Sequence, residues 1–198
     1  MILSSSTLNL FQVNHTPVGA SLVCSSVSSD PTHNQDYIQI SENEAFPTSY
    51  VLDNLRRVGP YLFNNQYSSD SCLHIEDSLN NEAHFWLHDF YFAQDCQLLY
   101  RLLCRFPRRS SISNELEMTV EKRVEVEQDQ QRMVRHIYIK VPSIVGFEEI
   151  LRWIYTRDDE QWLSTFDEEN FETIMQNVAF LRLGHEAYYV LAQFYENL

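Results

Sequence analysis

The chain has 198 residues, enough for one domain with a sizeable core plus a tail. Basic residues number 14 against 28 acidic ones, a formal charge of −14, which argues against nucleic acid and anionic lipid as partners. The four glycines form no Walker or Rossmann pattern, so a glycine-rich phosphate cradle is not expected either.

Residues 1–47 read as a weakly ordered leader. Ser, Thr, Asn and Pro dominate, the apolar residues show no period, and the first basic residue is Arg56. A short extended piece is expected at Tyr37-Ile38-Gln39-Ile40. Met1 to Phe11 has no Lys or Arg and is broken by Ser4, Ser5 and Ser6, so a secretory signal is not expected. The sequon Asn14-His15-Thr16 carries no weight without one. No run reaches the ~18–20 apolar residues of a membrane span.

A folded domain is expected over 48–198. It opens on a short helix over 48–58, capped by Thr48 or Ser49, with Val51, Leu55 and Val58 on one stripe. Gly59-Pro60 is expected to stop it. A hairpin follows: Cys72, His74 and Glu76 alternate with Leu73, Ile75 and Asp77, and Ala83, Phe85 and Leu87 alternate with His84, Trp86 and His88. Its turn is expected in Ser78–Glu82. Residues 89–106 predict one wide-faced helix through Phe92, Cys96, Leu99, Leu103 and Phe106, ended by Pro107. Arg101, Arg105, Arg108 and Arg109 crowd its last turn, where the helix dipole favours positive charge.

A second hairpin is expected with Leu116, Met118, Val120, Val124 and Val126 on one face and a turn at Asp129-Gln130-Gln131. Ile137, Ile139 and Val141 fill the return strand. Three helices close the chain. The first carries Phe147, Ile150, Leu151, Ile154 and Tyr155, with Trp153 off that stripe. The second carries Phe171, Ile174, Met175, Val178 and Leu181, with Thr165 and Glu168 at capping-box spacing ahead of it. The third carries Ala187, Val190, Leu191, Phe194, Tyr195 and Leu198. The order predicts an α+β domain in which a small antiparallel-rich sheet carries a cluster of helices.

Motifs of chemistry are few. Cys24, Cys72, Cys96 and Cys104 form no C-x-x-C pair, and reduced thiols in an intracellular protein are the reading. Cys72 and His74 share a face, and a turn centred near Asn80 would place His88 opposite Cys72. A Cys72/His74/His88 metal site, or an enzyme built on it, is therefore the alternative to weigh. No G-x-S-x-G elbow exists, His185-Glu186 lacks a second histidine, and Cys96 and Cys104 lie on an apolar helix face. No catalytic residue and no cofactor are expected. The acidic run from Asp158 to Glu172 reads as a solvated connection, against the rival reading of a patch for a basic partner anchored by Trp162.

Three stretches carry a resemblance. Phe85-Trp86-Leu87-His88-Asp89-Phe90 through Leu98-Leu99 is similar to a strand-to-helix passage containing a His. Val141-Pro142 with Phe147 through Tyr155-Thr156 is similar to a strand followed by a helix that ends in a Tyr-Thr pair. Asn170-Phe171 through Leu181-Arg182-Leu183 is similar to the next helix. Together they resemble the BTB/POZ fold, in particular its divergent fungal members, and Leu55-Arg56-Arg57-Val58-Gly59-Pro60 resembles the clampless-type regulators of mating development. Asp89 stands where that family usually has Lys, and Arg157 where Gly commonly follows the Tyr-Thr pair. The resemblance implies a non-catalytic protein-interaction module of the nucleus or cytoplasm. Such a module self-associates as a homodimer or recruits a protein partner in transcriptional or developmental regulation or as a ubiquitin-ligase adaptor. Any output domain joined to such modules is not expected before Leu198. Trp86, Tyr91 and Trp162, off the predicted core stripes or in connections, are the expected interaction residues.

Overall fold

The computed structural model describes residues 37–41, 44–92, 96–103, 122–129 and 132–197. Two compact units divide between Val51 and Leu52. In the first, β1 (Tyr37–Ser41) pairs antiparallel with β2 (Glu44–Pro47), with Tyr37 opposite Pro47 and a register shift between Gln39 and Ser41. The extended piece expected at Tyr37 to Ile40 lies in β1. Phe46 stacks on Tyr50 with ring centroids 5.8 Å apart. The leader before Tyr37, with its sequon and Cys24, lies outside the described residues.

Helix α1 runs Thr48–Leu62, four residues beyond the expected end, with Pro60 inside it. Proline removes the N–H that would bond the Arg56 carbonyl, but the turn closes again through Phe63 N–H donating to the Gly59 carbonyl at 2.8 Å. Gly59 is not a stop signal. A Cβ there would sit 2.1 Å from the Tyr155 carbonyl oxygen, so glycine lets two backbones meet.

The second unit holds a mixed sheet ordered β4-β3-β6-β5, from β3 (Ser71–Glu76), β4 (Glu82–Leu87), β5 (Lys122–Asp129) and β6 (Arg132–Lys140). β3 and β4 form one antiparallel hairpin and β5 and β6 another; β3 and β6 run parallel at the seam. Alternation decides what is buried: Leu73, Ile75, Phe85, Leu87, Ile137 and Ile139 all face the core. The first turn is fixed by Asp77. Its carboxylate accepts from Leu79 N–H at 2.9 Å, Asn81 N–H at 3.0 Å and the Asn81 amide, while Asn80 takes the left-handed φ of 59° that Asn tolerates. The strand positions expected from Leu116 to Glu121, the turn at Gln130-Gln131, and Cys104 lie outside the described residues.

Of the single helix expected over 89–106, the described residues show a 3₁₀ turn at Asp89–Phe92 and α2 at Gln97–Leu103; residues 93–95, and the expected end with Arg105, Phe106, Pro107, Arg108 and Arg109, lie outside them. Phe92, Cys96, Leu99 and Leu103 of the expected apolar stripe are all buried. Asp89, at the start of that 3₁₀ turn, forms an ion pair with Arg135 of β6.

Helix α3 (Phe147–Thr156) buries the five residues its period predicts, Ile154 among them, and also Trp153. Trp153 lies off the stripe but is covered by α4 (Asp159–Leu163), whose Asp159 accepts its indole N–H at 2.7 Å. Arg157 ends α3 at φ 55°, the left-handed cap that glycine adopts most freely, and its N–H bonds the Trp153 carbonyl at 2.7 Å. Asp158 caps α4 by accepting from Gln161 N–H at 2.9 Å. Two longer helices follow, α5 (Phe171–Leu181) and α6 (His185–Tyr195). The reciprocal bonds ahead of α5 join Asp167 and Asn170, at 2.7 and 3.0 Å, rather than Thr165 and Glu168. The domain is α+β, and no helix among the described residues is long and apolar enough to cross a membrane.

Candidate functional site

Three places gather chemically capable side chains. The first is interior. His88 leaves β4 and turns into the protein. Its backbone N–H donates to the Tyr155 hydroxyl at 2.8 Å, its Nδ1 lies 3.1 Å from the same oxygen, and its Nε2 lies 3.0 Å from Ser68 Oγ. Burial lowers the His88 pKa from its ordinary 6.5, and the charge of Asp70 opposes the shift. Next to it Arg135 donates to Asp89 Oδ2 at 2.5 Å, to Ser71 Oγ at 3.1 Å and to the Leu103 carbonyl. The Asp89 carboxyl is pushed up to about 6, by burial first and by Asp70 second, against the pull of Arg135. This network ties β4 to β6 and α3. Its groups are engaged with one another, which suits a structural brace.

The second is the outer face of the sheet. Register places Cys72 beside His136 across the parallel seam, and His74 opposite His84 in the hairpin. One donor atom each from Cys72, His74 and His136 lies within 4.8 Å of the other two. His74 Nε2 and His136 Nδ1 are 2.9 Å apart. Tyr138 stacks on the His74 ring at 4.4 Å and 11°, and the edge of Trp86 meets His136 at 6.3 Å. Burial pushes the Cys72 thiol up to about 11. The Cys72/His74/His88 grouping is thus corrected: the residue opposite Cys72 in the hairpin is Trp86, His88 is buried elsewhere, and the third donor is His136. The missed signal was the alternation His136, Tyr138, Lys140 in β6. It could not be linked to Cys72 without knowing that β6 pairs with β3.

The third is aromatic. Of the three expected interaction residues, Trp86 is partly exposed on the outer sheet face. The other two are not surface residues. Tyr91 is 7% exposed; its ring stacks on Tyr155 at 3.9 Å and its hydroxyl donates to the Leu55 carbonyl at 2.8 Å. Trp162 is 2% exposed, packed on Trp153 at 4.7 Å and on Phe166 at 5.2 Å. Without that anchor the acidic run around it has no apolar centre for a basic partner, and Asp158, Asp159 and Asp167 serve as caps and acceptors instead. Exposed tyrosines lie in three places among the described residues: Tyr37 and Tyr50 in the first unit, Tyr61 and Tyr67 at and after the end of α1, and Tyr188, Tyr189 and Tyr195 together on α6, at 45%, 70% and 70%.

No family model matches this chain, and no curated protein matches it either.

Proposed function

We propose that the chain is a non-catalytic protein-interaction module of the BTB/POZ type that acts by self-association, with recruitment of another protein as the alternative mode. The observation that carries the reading is the outward face of α6. Tyr188, Tyr189 and Tyr195, with Ala192 between them, are solvent-facing, while Ala187, Val190 and Leu191 fill the buried side of the same helix. Tyrosine supplies large contact area at low conformational cost and is enriched at interfaces. An α+β core that leaves such a face bare has a surface suited to a second copy.

Supporting the type is the way the resembling stretches come together. His88, in the first, holds the hydroxyl of Tyr155, in the second. The helix of the third, α5, places Ile174 against Gly146 at the start of α3. Asp89, standing where the family usually has Lys, finds its cation in Arg135 of β6. Placement in the nucleus or cytoplasm, and a role in developmental regulation or as a ubiquitin-ligase adaptor, belong to the same proposal.

Sedimentation velocity at low and high ionic strength tests it. The formal charge of −14 opposes close approach of two copies, so a homodimer tightens as salt rises. Binding to a basic protein weakens instead. A strict monomer at high concentration and high salt rejects self-association and leaves recruitment.

A further inference from the structure

We propose that Cys72, His74 and His136 bind one zinc ion on the outer face of the sheet, with water in the fourth position. The inference is independent of the interaction reading, since it concerns a different face.

The backbone supplies the preorganisation. Cys72 and His74 are two apart on β3 and so share a face, and Cys72 and His136 are partners across the β3–β6 seam. Three donors therefore stand on two paired strands, not on loops. One donor atom from each already lies within 4.8 Å of the others. The donor set is one sulfur and two imidazole nitrogens, which selects zinc over the oxygen-seeking calcium and magnesium. As it stands, the His74–His136 contact at 2.9 Å is a hydrogen bond. Zinc at about 2.0–2.1 Å from each nitrogen and about 2.3 Å from sulfur sets tetrahedral edges of about 3.3 Å between the nitrogens and about 3.6 Å from sulfur to nitrogen, so the imidazoles part by a few tenths of an ångström and donors now up to 4.8 Å apart close by side-chain rotation.

The surroundings hold the ligands. Tyr138 fixes the plane of His74 by stacking, and Trp86 packs edge-on against His136. A merely solvated sheet face has no need of this composition. Of seven histidines in the chain, His74, His84 and His136 fall on three adjacent strands of this one face, around a cysteine only 1% exposed. Binding exchanges the thiol proton for the metal: the Cys72 S–H bond breaks, a Zn–S bond forms, and the proton leaves to solvent.

Full-length reduced protein is titrated with Zn²⁺ against a chromophoric chelator, and in parallel with Co²⁺ followed by absorption. The expected result is one equivalent of zinc bound with Kd below about 1 μM. Cobalt should show the near-ultraviolet charge-transfer band that only a coordinated thiolate produces. Cys72→Ser should abolish that band, and His136→Ala should weaken binding more than about 100-fold. His84→Ala should leave both unchanged. Circular dichroism of each variant separates lost ligation from lost folding. Should Cys72→Ser fail to fold, His136→Ala and the wild-type cobalt spectrum still decide. No stoichiometric zinc overturns the proposal. So does a cobalt complex without the thiolate band, or equal affinity in wild type and His136→Ala. Loss of binding in His84→Ala overturns the three-ligand set.

Discussion

Helices α3 and α6 both carry aromatic residues off their main apolar stripes, and those residues meet opposite fates. Trp153 of α3 is covered by the next element, and a continuous ring contact runs from Arg157 over Trp153 at 4.2 Å to Trp162 at 4.7 Å, Phe166 at 5.2 Å and Phe194 at 5.5 Å. Tyr188 and Tyr189 of α6 stay 45% and 70% exposed, with Tyr189 meeting only the edge of His185 on its own helix at 5.8 Å among the ring contacts of the described residues. An aromatic off the stripe is therefore no interface signal by itself. It becomes one only when the fold supplies no second layer. The buried set contributes to stability, and on the proposed reading the exposed set serves recognition.

The strongest way to break this contrast is to cut the buried set. Trp162→Ala removes a fully packed indole and should lower unfolding free energy by about 3–5 kcal/mol in a denaturant titration. Trp162→Phe should cost far less, because the Trp162 indole nitrogen has no hydrogen-bond partner to lose. A loss under about 0.5 kcal/mol for Trp162→Ala would place that ring on the surface after all.

Tyr155→Phe comes next. Only the hydroxyl goes, but the buried His88 N–H then loses its acceptor, so a cost of about 1–3 kcal/mol is expected from the same titration. Indifference to the change would mean that the His88–Tyr155 contact is not a brace.

The pH dependence sharpens the point. Folding lowers the His88 pKa, so the unfolded chain binds that proton more readily. The stability it contributes is present above its ordinary 6.5 and is lost as pH falls below that value toward the folded pKa. Asp89, raised to about 6, works the other way, adding stability as pH falls through 6 towards 3.8. The difference between wild type and His88→Gln isolates the histidine, because Asp89 is common to both. That difference should shrink as pH drops below about 6.5. A difference that grows on acidification would mean that His88 folds as the cation.

Legibility in the sequence followed the range of the interaction involved. Period two and period 3.6 depend on residues a few positions apart, so the inner face of the first hairpin and the five buried positions of α3 could be read directly. Long-range pairing could not. Nothing near Cys72 announces β6, so the parallel seam that brings His136 to Cys72 and His74 is invisible in the sequence, and hairpin spacing alone points to His88 instead. The same gap explains Gly59. As a letter before Pro60 it reads as a helix stop, and only the approach of Tyr155 shows why it lacks a side chain. Trp162 and Tyr91 were misplaced because exposure depends on which element packs over a residue, not on its position within its own.

The smallest expected effect on stability is also the most informative. Replacing Tyr188 and Tyr189 together by Ser should change unfolding free energy by no more than about 0.5 kcal/mol per site, since both rings face solvent. The decisive measurement is sedimentation equilibrium of wild type and of this double variant at high salt. The account predicts a wild-type dimer and at least a tenfold weaker one in the variant, the cost of removing an interface hot spot of about 1.4 kcal/mol or more. Wild type and variant dimerising alike, or a wild type that stays monomeric, would contradict it.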